Sequence, residues 1–163
     1  MKKTPTLAPI LCRIAIQICL YARQKDTQFG LFDAEGHALT LLELADFQAD
    51  DRLPALIFAK YQDGKWAVLN RDGRHLHFPP LDEYSHISRL GFVGKLGEFK
   101  AVFLPDGNRI TDFKYDYVQI FGQKDKARKL ETEHGLNAET YFIGFAKNSS
   151  GTIWIDNFGK EHQ

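Results

Sequence analysis

The side chains with the strongest claim to chemistry are three histidines. His75 and His77 lie two apart in a run of strand-forming residues, so both point to one side of a strand, and His86 follows shortly after. Three imidazoles can hold a transition metal. No cysteine or second histidine cluster completes a tetrahedral shell, so no metal site is expected. Gly91, Gly94 and Gly97 recur every third residue in RLGFVGKLGEF. A phosphate-cradling loop needs a strand before it and a helix after it. Strand-like residues lie on both sides here, so these glycines are expected to mark bulges or sharp bends. Gly-x-Ser-x-Gly, His-Glu-x-x-His and Walker patterns are all absent. No two carboxylates stand out as an acid–base pair, and neither a catalytic residue nor a cofactor is expected.

The two cysteines, Cys12 and Cys19, are seven residues apart. On a helix they would sit about 10 Å apart along the axis. On a strand they would face opposite ways. A disulfide needs Cα atoms within about 7 Å, so neither geometry allows a bridge. Both read as small buried hydrophobes, which suits a reducing, cytoplasmic compartment. Residues 7–22 are apolar enough to suggest an export signal, with Lys2 and Lys3 as its positive start. Arg13 interrupts the run, and each uncharged stretch is only nine residues long, too short to span a bilayer. Export through this segment is the minor alternative, and no membrane partner is expected.

Charge carries more information than these motifs. The 163 residues hold 21 Lys+Arg and 21 Asp+Glu, so no broad positive field is available to hold nucleic acid. With 44% hydrophobic residues, charge-driven disorder is also excluded. The charges are not evenly spread. Residues 1–25 hold five cations and no acid, residues 26–51 hold seven acids and no cation, and the remainder is nearly balanced. Asp33, Glu35, Glu43, Asp46, Asp50 and Asp51 therefore form the candidate partner-binding set, able to steer a basic protein. The alternative is a single-stranded nucleic-acid binder. It would use aromatics on a sheet, drawn from the 13% of the chain that is aromatic, together with the basic run Lys124, Lys126, Arg128 and Lys129.

These side chains must be positioned by short β-hairpins. Four segments share one pattern, an apolar strand running into a turn that ends in Gly. They are Phe29–Gly36, Trp66–Gly73, Lys100–Gly107 and Thr152–Gly159, with Gly-to-Gly spacings of 37, 34 and 52 residues. Asp-Gly between β-rich runs is a strong hairpin signal. After two of the turns the match continues, because Asp82 lies nine beyond Gly73 and Asp116 nine beyond Gly107. A period near 35–40 residues implies one supersecondary unit repeated, with neighbours completing each other's core.

Phe29-Gly30, Trp66-Ala67 and Lys114-Tyr115-Asp116-Tyr117-Val118 together resemble WG repeats, in which a short strand, an Asp/Asn-x-x-Gly turn and a downstream Tyr-Asp recur. The resemblance covers residues 28–121 with an echo at 151–160, and the Trp-Gly dipeptide itself is degenerate in every unit. It implies a β-rich interaction module rather than a catalyst.

We therefore expect one domain over 1–163, mainly β to α+β. Its body is an antiparallel hairpin meander, closing as a sandwich, half-barrel or short repeat array. Two or three helices flank it. Residues 1–25 form an apolar segment, with helix favoured over strand. Residues 28–121 form the repeated hairpins, and 140–160 the last hairpin. A capping box at Thr40–Glu43 starts a short helix through Phe47, and 124–135 forms a surface helix ending at Gly135. The expected function is non-catalytic protein binding. In general character the chain is similar to small bacterial immunity proteins that cover a basic toxin domain.

Overall fold

The recurring turn is one geometry used five times. In the computed structural model, which describes residues 10–11, 21–25, 28–33, 35–40, 43–76, 80–122, 128–137 and 139–163, turns begin at Asp33, Tyr61, Asn70, Leu104 and Asp156. In each, the first residue's N–H donates to the carbonyl four positions on, and the glycine three positions on donates back to the first carbonyl. That glycine sits at positive φ every time, between 74° and 88° at Gly36, Gly64, Gly73, Gly107 and Gly159. A side chain with a Cβ is strained there, which is why glycine punctuates the sequence at this interval. The turn also needs an Asp or Asn to cap its N–H groups. Asn70 Oδ1 accepts from the N–H groups of Asp72 and Arg74, and Asp156 Oδ1 from those of Phe158 and Lys160. Where the first residue is Tyr61 or Leu104, Asp63 or Asp106 supplies the cap two residues later.

Around these turns the described residues fold into thirteen strands in three antiparallel sheets. The first sheet holds β1 (Ile10–Leu11), β2 (Tyr21–Lys25), β3 (Gln28–Phe32), β4 (Leu44–Gln48), β5 (Leu56–Tyr61) and β6 (Trp66–Asn70) in sequential order. The second holds β7 (Glu83–Ser88), β8 (Gly91–Leu96) and β9 (Phe99–Phe103). The third holds β10 (Tyr117–Ile120), β11 (Phe142–Asn148), β12 (Gly151–Asp156) and β13 (Glu161–His162). Four three-stranded units result, each closed by the glycine turn and a short return segment. That return bridges Phe32 to Ala38, Leu69 to His75, Phe103 to Arg109 and Ile155 to Glu161. In the first and third units a threonine hydroxyl (Thr40, Thr111) accepts the N–H of the strand residue nine before it (Leu31, Val102), both at 2.9 Å. The second and third units also share a closing bridge, Trp66 to Leu81 and Lys100 to Tyr115.

Alternation along each strand divides its side chains between two cores. Ile57, Ala59, Ala67 and Leu69 pack towards Leu31 and Leu44 of the preceding strands. Leu56, Phe58 and Val68, one residue out of step, pack towards Phe92, Ala101 and Phe103 of the second sheet. Val93 and Val102 then face Val118, Ile143 and Ile155 of the third. Strands buried on both faces read as continuous apolar runs, as these do. An aromatic column crosses the first junction. Tyr84 stacks on Phe58 at 4.1 Å, Phe92 meets Phe58 edge-on at 5.1 Å, and Phe103 stacks on Phe92 at 4.8 Å. Gly94 has a packing role here, because a Cβ at that position would lie 2.6 Å from the Phe103 ring.

The expected flanking helices are mostly strands. Thr40 gives its hydroxyl to Leu31 rather than to a helix start, and Leu44–Gln48 is β4. Pairing with β5 buries Leu44 completely, a gain that outweighs local helix preference. In the N-terminal segment, Ile10–Leu11 and Tyr21–Lys25 pair as strands, and residues 12–20 lie outside the described residues. Cys12, Arg13 and Cys19 lie outside the described residues. One helix remains among the described residues, α1 (Arg128–Glu133), within the expected 124–135 segment and followed by Gly135 at positive φ.

Truncating Phe58 to Ala should lower stability by about 3–5 kcal/mol in urea unfolding, because it empties the junction between two sheets. Thr111→Val should cost about 1–3 kcal/mol by orphaning the buried Val102 N–H. An equal change of Thr to Val at an exposed site should be near neutral.

Candidate functional site

The six carboxylates singled out by charge fall into three places. Asp33 and Glu35 sit on the first glycine turn with His37. The His37 backbone N–H donates to Asp33 Oδ1 at 2.7 Å, and His37 Nδ1 lies 3.0 Å from Oδ2. One ligand-type atom from each of Asp33, Glu35 and His37 lies within 4.8 Å of the others, the one such three-residue group among the described residues. Both Asp33 oxygens already serve the turn, and His75 and His86, weighed as imidazole ligands in the sequence, are not in this group. His75 instead stacks beside Tyr61, with Nε2 3.0 Å from the phenol oxygen. His77 lies outside the described residues.

Glu43 is exposed immediately before β4, where Leu44 pairs with Tyr61. Burial raises the Tyr61 phenol above its ordinary pKa, and the negative charges of Glu43 and Asp63 add to this. Asp46 in the middle of β4 and Asp51 beyond its end are exposed, and Asp46 Oδ1 caps the Phe47 N–H at 2.8 Å. Asp50 differs. Arg52 grips it through Nε at 2.8 Å and Nη2 at 2.7 Å. Those hydrogen bonds hold the Asp50 carboxyl below its ordinary pKa against the opposing effect of partial burial. Asp50 is therefore a structural residue, whereas Glu43, Asp46 and Asp51 form no ion pair among the described residues.

Arg52 also reaches across the chain. Its Nη1 donates to the Ile87 carbonyl at 2.7 Å, tying the β4–β5 loop to β7. Between them opens a groove of about 490 Å³, lined by residues that include Arg52, Tyr84, His86, Ser88 and Ile120. His86 has φ of 50°, where side chains other than glycine are uncommon, and the β7–β8 register shifts between Ser85 and Ser88. This bulge points the exposed His86 out of the ladder beside the groove. Tyr84 donates its hydroxyl to Gln48 Oε1 at 2.6 Å. Burial pushes the Tyr84 pKa up to about 12, helped by the charges of Asp46 and Asp50. The groove is thus lined by an arginine already paired with Asp50 and by the Tyr84 and Ser88 hydroxyls, which bond to Gln48 and Leu90.

Gln48, Arg52, Tyr84 and Ile87 were missed by sequence reasoning. They meet only because β4 and β7 are brought together, and a separation of 35 residues between Arg52 and Ile87 leaves no local signal. Lys124 and Lys126 lie outside the described residues, while Arg128 and Lys129 begin α1. Many aromatics fill the core, Phe58, Phe92, Phe103 and Phe142 among them. No known family and no curated protein matches this chain.

Since the folded state keeps the Tyr84 proton where the unfolded chain loses it, stability should fall as pH rises from about 10 towards 12. Urea unfolding at the two ends of that window should show the loss in the wild type and a smaller one in Tyr84→Phe. Asp46→Asn should lower the phenol's titration midpoint, read by ultraviolet absorbance.

Proposed function

We propose that this chain is a non-catalytic protein-binding module, built from WG-like hairpin units, that receives a basic partner on the carboxylates around β4. Its most concrete form is an immunity or inhibitor protein that covers the active surface of a toxin domain in the cytoplasm. The observation that carries the reading is the placement of Glu43, Asp46 and Asp51. All three are exposed, all are outside the ion pairs of the described residues, and all sit on or beside β4, which pairs with β5 and is tied to β7 through Gln48 and Tyr84. A rigid scaffold presenting uncompensated charge steers association without loss of loop entropy. Asp33 and Glu35 lie on a separate turn and take a lesser part. The five-fold recurrence of one turn geometry supports the repeat resemblance, and repeat scaffolds commonly serve as binding surfaces. No helix among the described residues is long and apolar enough to cross a membrane.

The test is affinity capture from the native cell followed by kinetics with the purified partner. The expected partner is basic, and its association rate at about 50 mM salt falls at least tenfold when Glu43, Asp46 and Asp51 are all changed to Lys. Asp50 is left intact so that the Arg52 bridge survives, and the unfolding midpoint of the variant should stay near wild type. An association rate unchanged in the triple variant overturns the proposal.

A further inference from the structure

The stack of sheets ends at the third one, and its outer face is unusual. Val118, Ala146 and Ile155 turn inward onto the core shared with β8 and β9. Alternation then turns Tyr117, Phe145 and Trp154 outward. Register places Phe145 opposite Trp154, and Lys147 opposite Tyr117, so all four share one face. Their rings make a continuous platform. Tyr117 and Phe145 are 6.1 Å apart, Phe145 and Trp154 5.6 Å, and Phe121 extends the row 6.2 Å from Trp154. Two ammonium groups border it, Lys100 and Lys147, at 5.7 Å and 5.8 Å from the Tyr117 ring centre. Tyr117 is 37% exposed, and Phe121, Phe145 and Trp154 are half-buried.

We propose that this face binds single-stranded nucleic acid, with bases stacking on Tyr117, Phe145 and Trp154 and phosphates meeting Lys100 and Lys147. The last unit of a repeat array ordinarily presents a polar outer face, so an aromatic one calls for a ligand. Aromatic rings on adjacent strands offer successive stacking surfaces, and lysines at their edge supply the charge complement that a phosphate backbone needs. A duplex keeps its bases stacked on one another and cannot use the rings. A second copy of the chain fits poorly, because a two-fold contact lays the same patch on itself and opposes the lysines of each copy. The chain's net charge of zero makes the binding modest and sensitive to salt. The site uses none of the acidic carboxylates of β4, so either reading can fail without the other.

The experiment is fluorescence anisotropy of the full chain with labelled oligo(dT), oligo(U) and a duplex of equal length at about 50 mM salt. Single strands should bind, quench tryptophan fluorescence and outcompete the duplex. Tyr117→Ala should weaken binding at least about fivefold, and Lys147→Ala should lower the slope of log affinity against log salt by about 0.7. Both sites are exposed, so the folds should survive, as a circular dichroism melt will check. Phe99→Ala, an exposed aromatic on another sheet, should bind as wild type. Equal affinity for duplex and single strand, or no effect of Tyr117→Ala, overturns the proposal. Self-association abolished by Tyr117→Ala, or capture of an acidic protein with no oligonucleotide binding, overturns it in favour of a protein occupant.

Discussion

The architecture depends on one constraint: a strand of this chain has two apolar faces, and a three-stranded unit can cover only one of them with its own residues. Ile57 and Phe58 are neighbours in β5 and are both buried, yet they belong to different cores. The same holds for Val102 and Phe103 in β9. Each sheet is therefore stable only with a neighbour laid against it. The contact of Phe58 with Phe92 joins the first sheet to the second, as Val93 and Val102 join the second to the third. Removing one interface exposes two faces, which is how folding becomes cooperative in an array of weak units.

This dependence gives the turns their importance. Stacking aligns only if each unit returns the chain at a fixed place, and the glycine turn does that with the same hydrogen bonds in all four units, a fifth copy joining β5 to β6. Many acids in the sequence serve this geometry. Asp33, Asp63, Asp106 and Asp156 cap turn N–H groups. Asp82 receives the Gly97 N–H at 2.6 Å and Lys65 Nζ at 3.1 Å, so it clamps two hairpins together. Many of the acids in such a fold are therefore a requirement of turn chemistry. Glu43, Asp46 and Asp51 serve none of the glycine turns and form no ion pair among the described residues.

Legibility varied with how local each determinant was. The hairpin interval was visible because positive φ selects glycine and the cap selects Asp or Asn, whatever surrounds them. Thr40 misled for the opposite reason. A threonine three before a glutamate fits a helix start, but its hydroxyl accepts the Leu31 N–H instead, as Thr111 does for Val102 two structural repeats later. Leu44, Ala45 and Phe47 suit either a helix face or a strand. Burial of Leu44 against β5, and the Phe47 ring packed edge-on to Phe29 at 5.8 Å, decide for the strand. The candidate site was half legible. The acid-rich stretch was plain from charge, but not that Asp50 is held by Arg52, nor that Tyr84 and His86 stand beside it.

By itself, then, the sequence determined what depends on nearest neighbours along the chain. That covers the antiparallel hairpins, the turn residues, the repeated interval, the continuous apolar strands and the segregation of charge. The tertiary structure alone decided which face of each strand meets which core, since alternation specifies two faces without naming their partners. It also decided which carboxylates are neutralised and which stay open, because Arg52 reaches both Asp50 and Ile87 only when β4 and β7 meet. And it decided that Tyr117, Phe145 and Trp154, scattered over nearly forty positions of sequence, become one aromatic surface at the end of the stack.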